Sequence, residues 1–198
     1  MEINGSNIAG GNPANGRVIR DFYTTNPEAV RKLIRCHYHG SLPKGRYLEP
    51  CVATGNIADV IKKCGSEVVG VDIEDYGYPG TIVHNFLDWQ TDEVFDGVIT
   101  NPPFMLAEQF IRKSLSLIKE HGEAIFFLKI QFLEGEKRRK LFEELPPRWI
   151  YVNTKRVPTW AENQKVDPQT GKPWATTMCS AWYIWEKGWY GEPTIRWI

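Results

Sequence analysis

The sequence has no excess of either charge, no long apolar run and no pair of closely spaced cysteines. Its 24 basic and 24 acidic side chains give a formal net charge of zero, which counts against tight non-specific binding to nucleic acid but allows a local basic patch. No apolar run approaches the length of a membrane span or a signal peptide, so we expect no membrane association. The four cysteines are far apart, at Cys36, Cys51, Cys64 and Cys179. We therefore expect no disulfide framework, no metal site and a reducing cytoplasm.

Aromatic residues and alternating apolar segments are what the chain does contain. Residues 1–17 are rich in Gly, Asn and Ser and predict a flexible N-terminal tail, whereas 18–198 predict a single domain. Helical patterns beginning at Pro27 and covering 57–63, 106–119 and 134–144 alternate with seven strand patterns at 47–49, 68–73, 81–83, 95–100, 124–130, 149–152 and 181–185. This alternation predicts an α/β fold with a doubly wound, mostly parallel seven-stranded sheet.

The most informative motif is Asn-Pro-Pro-Phe at residues 101–104, directly after the apolar run 95–99. Asn101 is expected at the carboxyl end of a parallel strand, where open α/β sheets build their sites. Pro102 and Pro103 fix the backbone and remove two donors, which favours outward-pointing carbonyl acceptors beside the flat ring of Phe104. Acceptors next to a stacking face suit a planar group that carries an amine, such as a nucleobase.

A second set of residues predicts a ligand site at a strand-to-helix turn. The small residues between Glu49 and Gly55 would let a ligand approach the backbone closely, and the turn lacks the Lys of a phosphate-binding loop. Asp72 ends the next strand 17 residues after Gly55, where a carboxylate can accept from both ribose hydroxyls of an adenosine-containing ligand.

A third acid, Asp88, follows the third strand pattern. By itself it is explained by helix capping or solvation, but beside the other motifs it is a candidate acceptor for an adenine amino group. Trp89 or Phe86 would then cover the adenine ring.

One long segment, residues 153–177, interrupts the alternating pattern with Pro, Gly and polar residues. Such loops are often functional, and basic side chains between aromatic rings suit a phosphate backbone and stacked bases. The alternative is a solvated excursion whose tryptophans pack back on the sheet. The candidate substrate-binding residues are Lys155, Arg156, Trp160, Lys165, Lys172 and Trp174.

Together these motifs, from about Asp21 to Trp185, resemble those of S-adenosylmethionine-dependent DNA N6-adenine methyltransferases of the Asn-Pro-Pro-Phe type, including small phage and bacterial forms. The resemblance implies the Rossmann-like class I methyltransferase fold with an antiparallel last strand. It implies S-adenosyl-L-methionine as the cofactor, contacted by Tyr23, Thr24, Thr25, Glu49, Pro50, Cys51, Ala53, Gly55, Asp72, Ile73, Asp88, Trp89 and Asn101. The sequence departs from the family at Ala53, where Gly is usual, and at Asn26, which separates Thr25 from Pro27.

The resemblance also implies an activity: methyl transfer to the N6 amino group of adenine in duplex or single-stranded DNA, with the base flipped into the site. The Asn101 side-chain carbonyl and the Pro102 backbone carbonyl would accept the amino hydrogens while Phe104 stacks on the base. No separate target-recognition domain is evident, so the loop at 153–177 is the candidate for reading the target. The alternatives are methylation of a protein glutamine, cytosine N4 or RNA adenine, or a non-catalytic module that binds cofactor or DNA. A cytoplasmic, possibly phage-encoded enzyme is expected, and its oligomeric state is open.

Overall fold

The computed structural model describes residues 23–161, 166, 171–172, 176 and 178–198. The predicted tail at 1–17 and two of the candidate loop residues, Lys165 and Trp174, lie outside the described residues. The helices are α1 (Pro27–His37), α2 (Asn56–Lys63), α3 (Ala107–Leu117) and α4 (Glu136–Glu144). The strands are β1 (Tyr23–Thr24), β2 (Arg46–Glu49), β3 (Glu67–Asp72), β4 (Ile82–Val83), β5 (Phe95–Thr100), β6 (Ile118–Lys129), β7 (Trp149–Val152), β8 (Trp160–Ala161), β9 (Ser180–Glu186) and β10 (Thr194–Trp197).

Eight of these strands form one sheet in the order β10-β7-β9-β6-β5-β2-β3-β4. Only β9 runs antiparallel to its neighbours, and it coincides with the predicted last strand. The mostly parallel doubly wound sheet is therefore confirmed. It is one strand larger than predicted, because β10 pairs with β7 at the edge of the sheet. All four residues of β10 are exposed, so no buried apolar pattern marks this strand in the sequence.

The central strand β6 explains why two layers of helices cover the sheet. Phe126 and Leu128 belong to one apolar cluster and Ile125 and Phe127 to another, so both faces of the strand are buried. Successive side chains in a strand point to opposite faces, and a strand buried on both sides reads as a continuous apolar run. Helices α1 and α2 contribute to the second cluster, and α3 contributes to the first.

Helix α1 begins where the sequence predicts it. The Asn26 side chain accepts a hydrogen bond from the Glu28 backbone N–H at 2.9 Å, and Pro27 occupies the first turn. An N-cap of this kind stabilises the first turn of a helix by roughly 0.5–2 kcal/mol. The helix places the preceding residues, Thr24 and Thr25, against the end of the sheet, where both are buried.

Helix α3 is shorter than its predicted span, because a 3₁₀ turn at Phe104–Leu106 precedes it and β6 already begins at Ile118. The longest described helices have 11 residues, and within the described segments no helix is long and apolar enough to cross a bilayer.

Candidate functional site

The candidate site lies at the carboxyl ends of three neighbouring parallel strands. β2 pairs with β3 on one side and with β5 on the other, so Glu49, Asp72 and Asn101 come to the same edge of the sheet. A cavity at this edge is lined by Thr24, Thr25, Glu49, Cys51, Val52, Ala53, Asn56, Ile57 and Asn101. The fold thus brings together six of the predicted cofactor residues, from the N-terminal segment, the turn after β2 and the end of β5.

The turn between β2 and α2 is held in shape by Asp72. Its Oδ2 accepts a hydrogen bond from the Ala53 N–H and its Oδ1 accepts one from the Ile73 N–H, both at 2.8 Å. Burial raises the pKa of Asp72, although these two bonds oppose the shift. Each carboxylate oxygen has two lone pairs, so both oxygens retain capacity for a ligand. Besides its predicted role towards ribose, Asp72 therefore fixes the loop that would surround the ligand.

Ala53 and Gly55 both have positive φ angles, 50° and 84°. The left-handed conformation is costly for a residue with a Cβ atom, so Ala53 is a strained position where the family pattern has Gly. Gly55 serves as the N-cap of α2 without a side-chain cap, and its carbonyl accepts from the Asp59 N–H at 2.8 Å. Pro50 and Ile73 flank this turn without lining the cavity.

Glu49 is the most unusual group in the cavity wall. Its side chain is 1% exposed, and among the described residues its Oε2 has no hydrogen-bond partner. Burial raises the pKa of Glu49 well above its usual range, and the Ala58 backbone N–H offsets part of that shift. A buried acceptor without a partner is costly unless a donor reaches it, which fits a ligand that carries hydroxyl or ammonium groups.

Cys51 lies in the same cavity but is not equipped as a nucleophile. Burial raises the pKa of its thiol well above the usual range, and the neighbouring carboxylates of Asp72 and Glu49 add to the shift. Because the thiolate is the reactive form, this shift disfavours a nucleophilic role for Cys51.

The N-terminal segment forms one wall of the site by pairing with the long loop. Thr24 pairs with Trp160 and Tyr23 pairs with Ala161 in a small antiparallel ladder. The Thr25 carbonyl accepts from the Asn56 side-chain amide at 3.1 Å. Trp160, a predicted substrate residue, therefore lies next to a predicted cofactor residue. Asn56 was not predicted, although its position directly after Gly55 placed it within the motif.

The loop after β4 is fixed by a lysine from α3. Lys113 Nζ donates to the Leu87 carbonyl at 3.0 Å and to the Trp89 carbonyl, and its ammonium lies 5.2 Å from the centre of the Phe86 ring. Burial lowers the pKa of Lys113, while the nearby charge of Asp88 opposes the shift. Asp88 itself is exposed and accepts from the Asn85 side-chain amide. Lys113 was missed in the sequence, since nothing near it in the chain points to this loop.

The idea that Phe86 covers a ligand ring is wrong. Phe86 is 2% exposed and packs against Phe110 at 4.9 Å between ring centres, so it belongs to the core. Trp89 is half-buried beside the exposed Asp88 and stays the candidate for that role.

The Asn-Pro-Pro-Phe motif forms a tight link between β5 and α3. Asn101 is half-buried and lines the cavity, and Pro102 is buried. The expectation of two outward carbonyls needs correction, because the Pro103 carbonyl accepts from the Leu106 N–H at 2.9 Å and closes the 3₁₀ turn. Phe104 is half-buried, and Lys129 at the end of β6 lies with its Nζ 4.9 Å from the Phe104 ring centre.

The loop at 153–177 leaves the sheet at the same edge as the site. It follows β7, which runs parallel to β6 because β9 is antiparallel to both. Asn153 donates to the carbonyl and hydroxyl of Ser180, both at 3.2 Å, so the two ends of the loop are joined. Lys155, Arg156 and Lys172 are exposed.

Comparisons with known proteins agree with this architecture. No family model matches the sequence. The chain is similar to the type II methyltransferase M.CvrRI of Paramecium bursaria Chlorella virus XZ-6E, with 31% identity over 108 residues, covering 50% of this chain and 28% of that protein. The chain thus spans little more than a quarter of the curated relative's length.

Among solved structures, the chain is similar to a candidate class I S-adenosylmethionine-dependent methyltransferase from Listeria monocytogenes (TM-score 0.63, 14% identity, 93% of this chain and 68% of that chain). It is also similar to a candidate RNA methyltransferase from Pyrococcus horikoshii (TM-score 0.64, 15% identity, 87% and 91%). A third is the modification subunit of a candidate type I restriction enzyme from Vibrio vulnificus (TM-score 0.61, 14% identity, 89% and 47%).

The fold is therefore that of the class I S-adenosylmethionine-dependent methyltransferases. This confirms the resemblance to S-adenosylmethionine-dependent methyltransferases that the motifs indicate. The curated relative is more specifically a type II methyltransferase. The roles of the individual site residues and the preference for adenine stay predictions.

Proposed function

We propose that this chain transfers a methyl group from S-adenosyl-L-methionine to the N6 amino group of adenine in DNA. The observation that carries the proposal is the position of Asn101, which lines the same cavity as Glu49 and Ala53 and begins the Asn-Pro-Pro-Phe link. A hydrogen-bond acceptor for the target is thus adjacent to the cavity that would hold the methyl donor. The similarity to a type II methyltransferase supports DNA as the substrate.

Residues in the cavity wall and in the neighbouring loops fit the proposed cofactor. The Oε2 of Glu49, which has no partner among the described residues, and the carboxylate of Asp72 would accept from its ammonium and ribose hydroxyls. Asp88 and Trp89, held by Lys113, are an acceptor and a flat ring for its adenine. When bound, the cofactor supplies an activated methyl group that has an excellent leaving group. The protein then needs to supply position and electrostatics and no covalent nucleophile.

The motif has to orient and activate the adenine amino group, which is a weak nucleophile. The lone pair of an adenine amino group is delocalised into the ring. If the Asn101 side-chain oxygen and the Pro102 carbonyl each accept one amino hydrogen, electron density on the nitrogen rises and its lone pair turns towards the donor. The Pro103 carbonyl is occupied by Leu106 N–H, so it is not part of this pair. Phe104 is the surface on which the base would stack.

Base extrusion explains why an aromatic ring is needed here. Taking a base out of a duplex costs a few kcal/mol, and stacking on an aromatic side chain returns about 1–3 kcal/mol per base. We therefore expect single-stranded or mismatched DNA to be methylated faster than a fully paired duplex at equal concentration. The loop at 153–177, which leaves the same edge of the sheet, is the proposed reader of the surrounding sequence.

The test is transfer of a labelled methyl group from S-adenosylmethionine to duplex DNA, single-stranded DNA, RNA and a protein extract in parallel. Digestion of the labelled product identifies the modified group. N6-methyladenine from DNA is the expected result. Label in RNA adenine, cytosine N4 or protein glutamine would reject the proposed substrate, and cofactor binding without any transfer would favour a non-catalytic module.

A further inference from the structure

We propose that Lys129 binds a phosphate of the DNA strand that presents the target base. This inference rests on the proposed function and deepens it, because it assigns a substrate contact outside the catalytic motif and the long loop. Lys129 is the last residue of β6, the strand next to β5, and Asn101 directly follows β5. Its side chain therefore starts from the same edge of the sheet as the catalytic motif.

The backbone at Lys129 is firmly held. Lys129 pairs with Ser180 of β9, and the Tyr183 hydroxyl is within 3.2 Å of both the Lys129 and Ile130 carbonyls. The Ile130 N–H donates to the Cys179 carbonyl at 3.0 Å. A charged group on a rigid strand end is positioned more accurately than one on a loop, so the origin of this side chain is fixed relative to the site.

The ammonium group of Lys129 lies over one face of the Phe104 ring, the proposed base platform. Its Nζ is 4.9 Å from the centre of the Phe104 ring, a distance typical of a cation–π contact. A base that stacks on the opposite face of Phe104 brings its own sugar and phosphate to the rim of the same ring. The distance from the ammonium to the stacking surface is therefore smaller than one nucleotide, so the ammonium can reach the phosphate of the stacked base.

Within the described part of the chain, the ammonium group of Lys129 contacts the Phe104 ring, and no acidic group neutralises its charge. Among the described residues, no carboxylate forms an ion pair with Lys129, and its side chain is half-buried. Neighbouring cations are committed: Arg138 donates to the Gln131 and Glu134 carbonyls, and Lys113 donates to the loop after β4. In a chain whose net charge is zero, a cation that lies at the base platform and has no ion-pair partner among the described residues is a specific local site for an anion.

A phosphate contact at this position separates nucleic-acid substrates from a glutamine side chain in a protein. A glutamine side chain in a protein offers an amide to Asn101 but no phosphate to Lys129. Each phosphate neutralised by a protein cation adds about 0.9 to the slope of log affinity against log salt for duplex DNA, and about 0.7 for single strands. Removal of a phosphate-binding lysine therefore lowers the salt slope of DNA affinity, whereas removal of a purely structural lysine does not.

The experiment compares Lys129→Met, Lys129→Arg and the matched control Lys63→Met, which removes an exposed charge at the last turn of α2. KM for an adenine-containing duplex is measured over a range of salt at saturating cofactor, together with KM for cofactor and the melting temperature. We expect Lys129→Met to lower the slope of log affinity against log salt by about 0.9. The ratio of the variant KM to the wild-type KM is then about eightfold higher at 0.1 M salt than at 1 M salt. Lys129→Arg and Lys63→Met are expected to keep the wild-type slope.

The outcomes separate this inference from the proposed function. If the wild type methylates DNA but Lys129→Met keeps its salt slope, Lys129 binds no phosphate and only this inference fails. A lower kcat at an unchanged slope would assign Lys129 to the support of Phe104 and would also overturn it. A wild type that methylates no DNA overturns both proposals.

Discussion

Replacement of Gly55 by alanine tests whether the turn after β2 is as tightly built as the structure indicates. A Cβ atom at Gly55 would lie 2.6 Å from Cε2 of Tyr78, which is 6% exposed and packs with Val52 and Ala58. Because Tyr78 is enclosed, it cannot turn away without opening this small cluster. The substitution therefore combines a steric clash with an unfavourable backbone conformation.

Gly77 provides a matched control for the backbone contribution. Its φ angle is 90°, close to the 84° of Gly55, but a Cβ atom there would meet no atom within 4 Å. An alanine in the left-handed region costs about 1–2 kcal/mol, offset by about 0.4–1 kcal/mol from a less flexible unfolded chain. Gly77→Ala should therefore lose about 0–1.5 kcal/mol, whereas overpacking adds about 1–3 kcal/mol in Gly55→Ala.

The assay is urea unfolding of both variants, followed by tryptophan fluorescence, with the cofactor dissociation constant measured by equilibrium dialysis. We expect Gly55→Ala to be less stable than Gly77→Ala by about 1–3 kcal/mol and to bind cofactor more weakly, since the displaced turn includes Ala53. Equal losses of stability in the two variants would show that Tyr78 does not oppose a Cβ atom at position 55.

Two further predictions concern charged groups around the cavity. Lys113→Met removes two hydrogen bonds from a charged donor, each of which contributes roughly 1.5–3 kcal/mol before solvent exposure is considered. KM for cofactor should rise about tenfold with kcat within about twofold in steady-state assays, and an unchanged KM would show that this loop does not bind cofactor. Burial raises the pKa of Glu49 well above its usual range, so its contribution to stability is complete below the unfolded pKa of about 4.3 and is lost as pH rises towards the folded pKa. The melting temperature of Glu49→Gln without cofactor should consequently fall less between pH 5 and pH 8 than that of the wild type, and parallel pH curves would contradict the assigned burial.

Local patterns in the sequence were sufficient for much of the fold. The apolar run at 124–130 predicts a buried strand, and Asn26 with Pro27 predicts the start of α1. Both features depend on residues that are adjacent in the chain and on a run of apolar side chains, and both are visible in the sequence. The exposed strand β10 has no such pattern, because its position depends on pairing with β7.

The site was only partly accessible from the sequence for the same reason. The motifs indicate which strand ends carry Glu49, Asp72 and Asn101, but not the contacts that residues distant in the chain add. Lys113 reaches a loop 24 residues earlier in the chain, and the Lys129 ammonium lies over the ring of Phe104, which follows the neighbouring strand β5. Such contacts follow from tertiary packing, which no local motif encodes.

The most direct test of the account is the methylation rate of Asn101→Ala at saturating S-adenosylmethionine on an adenine-containing DNA substrate. The cofactor dissociation constant is measured in parallel, because Asn101 also lines the cavity. Loss of one positioned hydrogen-bonding group in the transition state lowers kcat by about 10²–10³-fold in comparable cases. We predict a fall of at least about 100-fold in the rate of N6-methyladenine formation with cofactor binding retained. A rate equal to that of the wild type would contradict the central role assigned to Asn101.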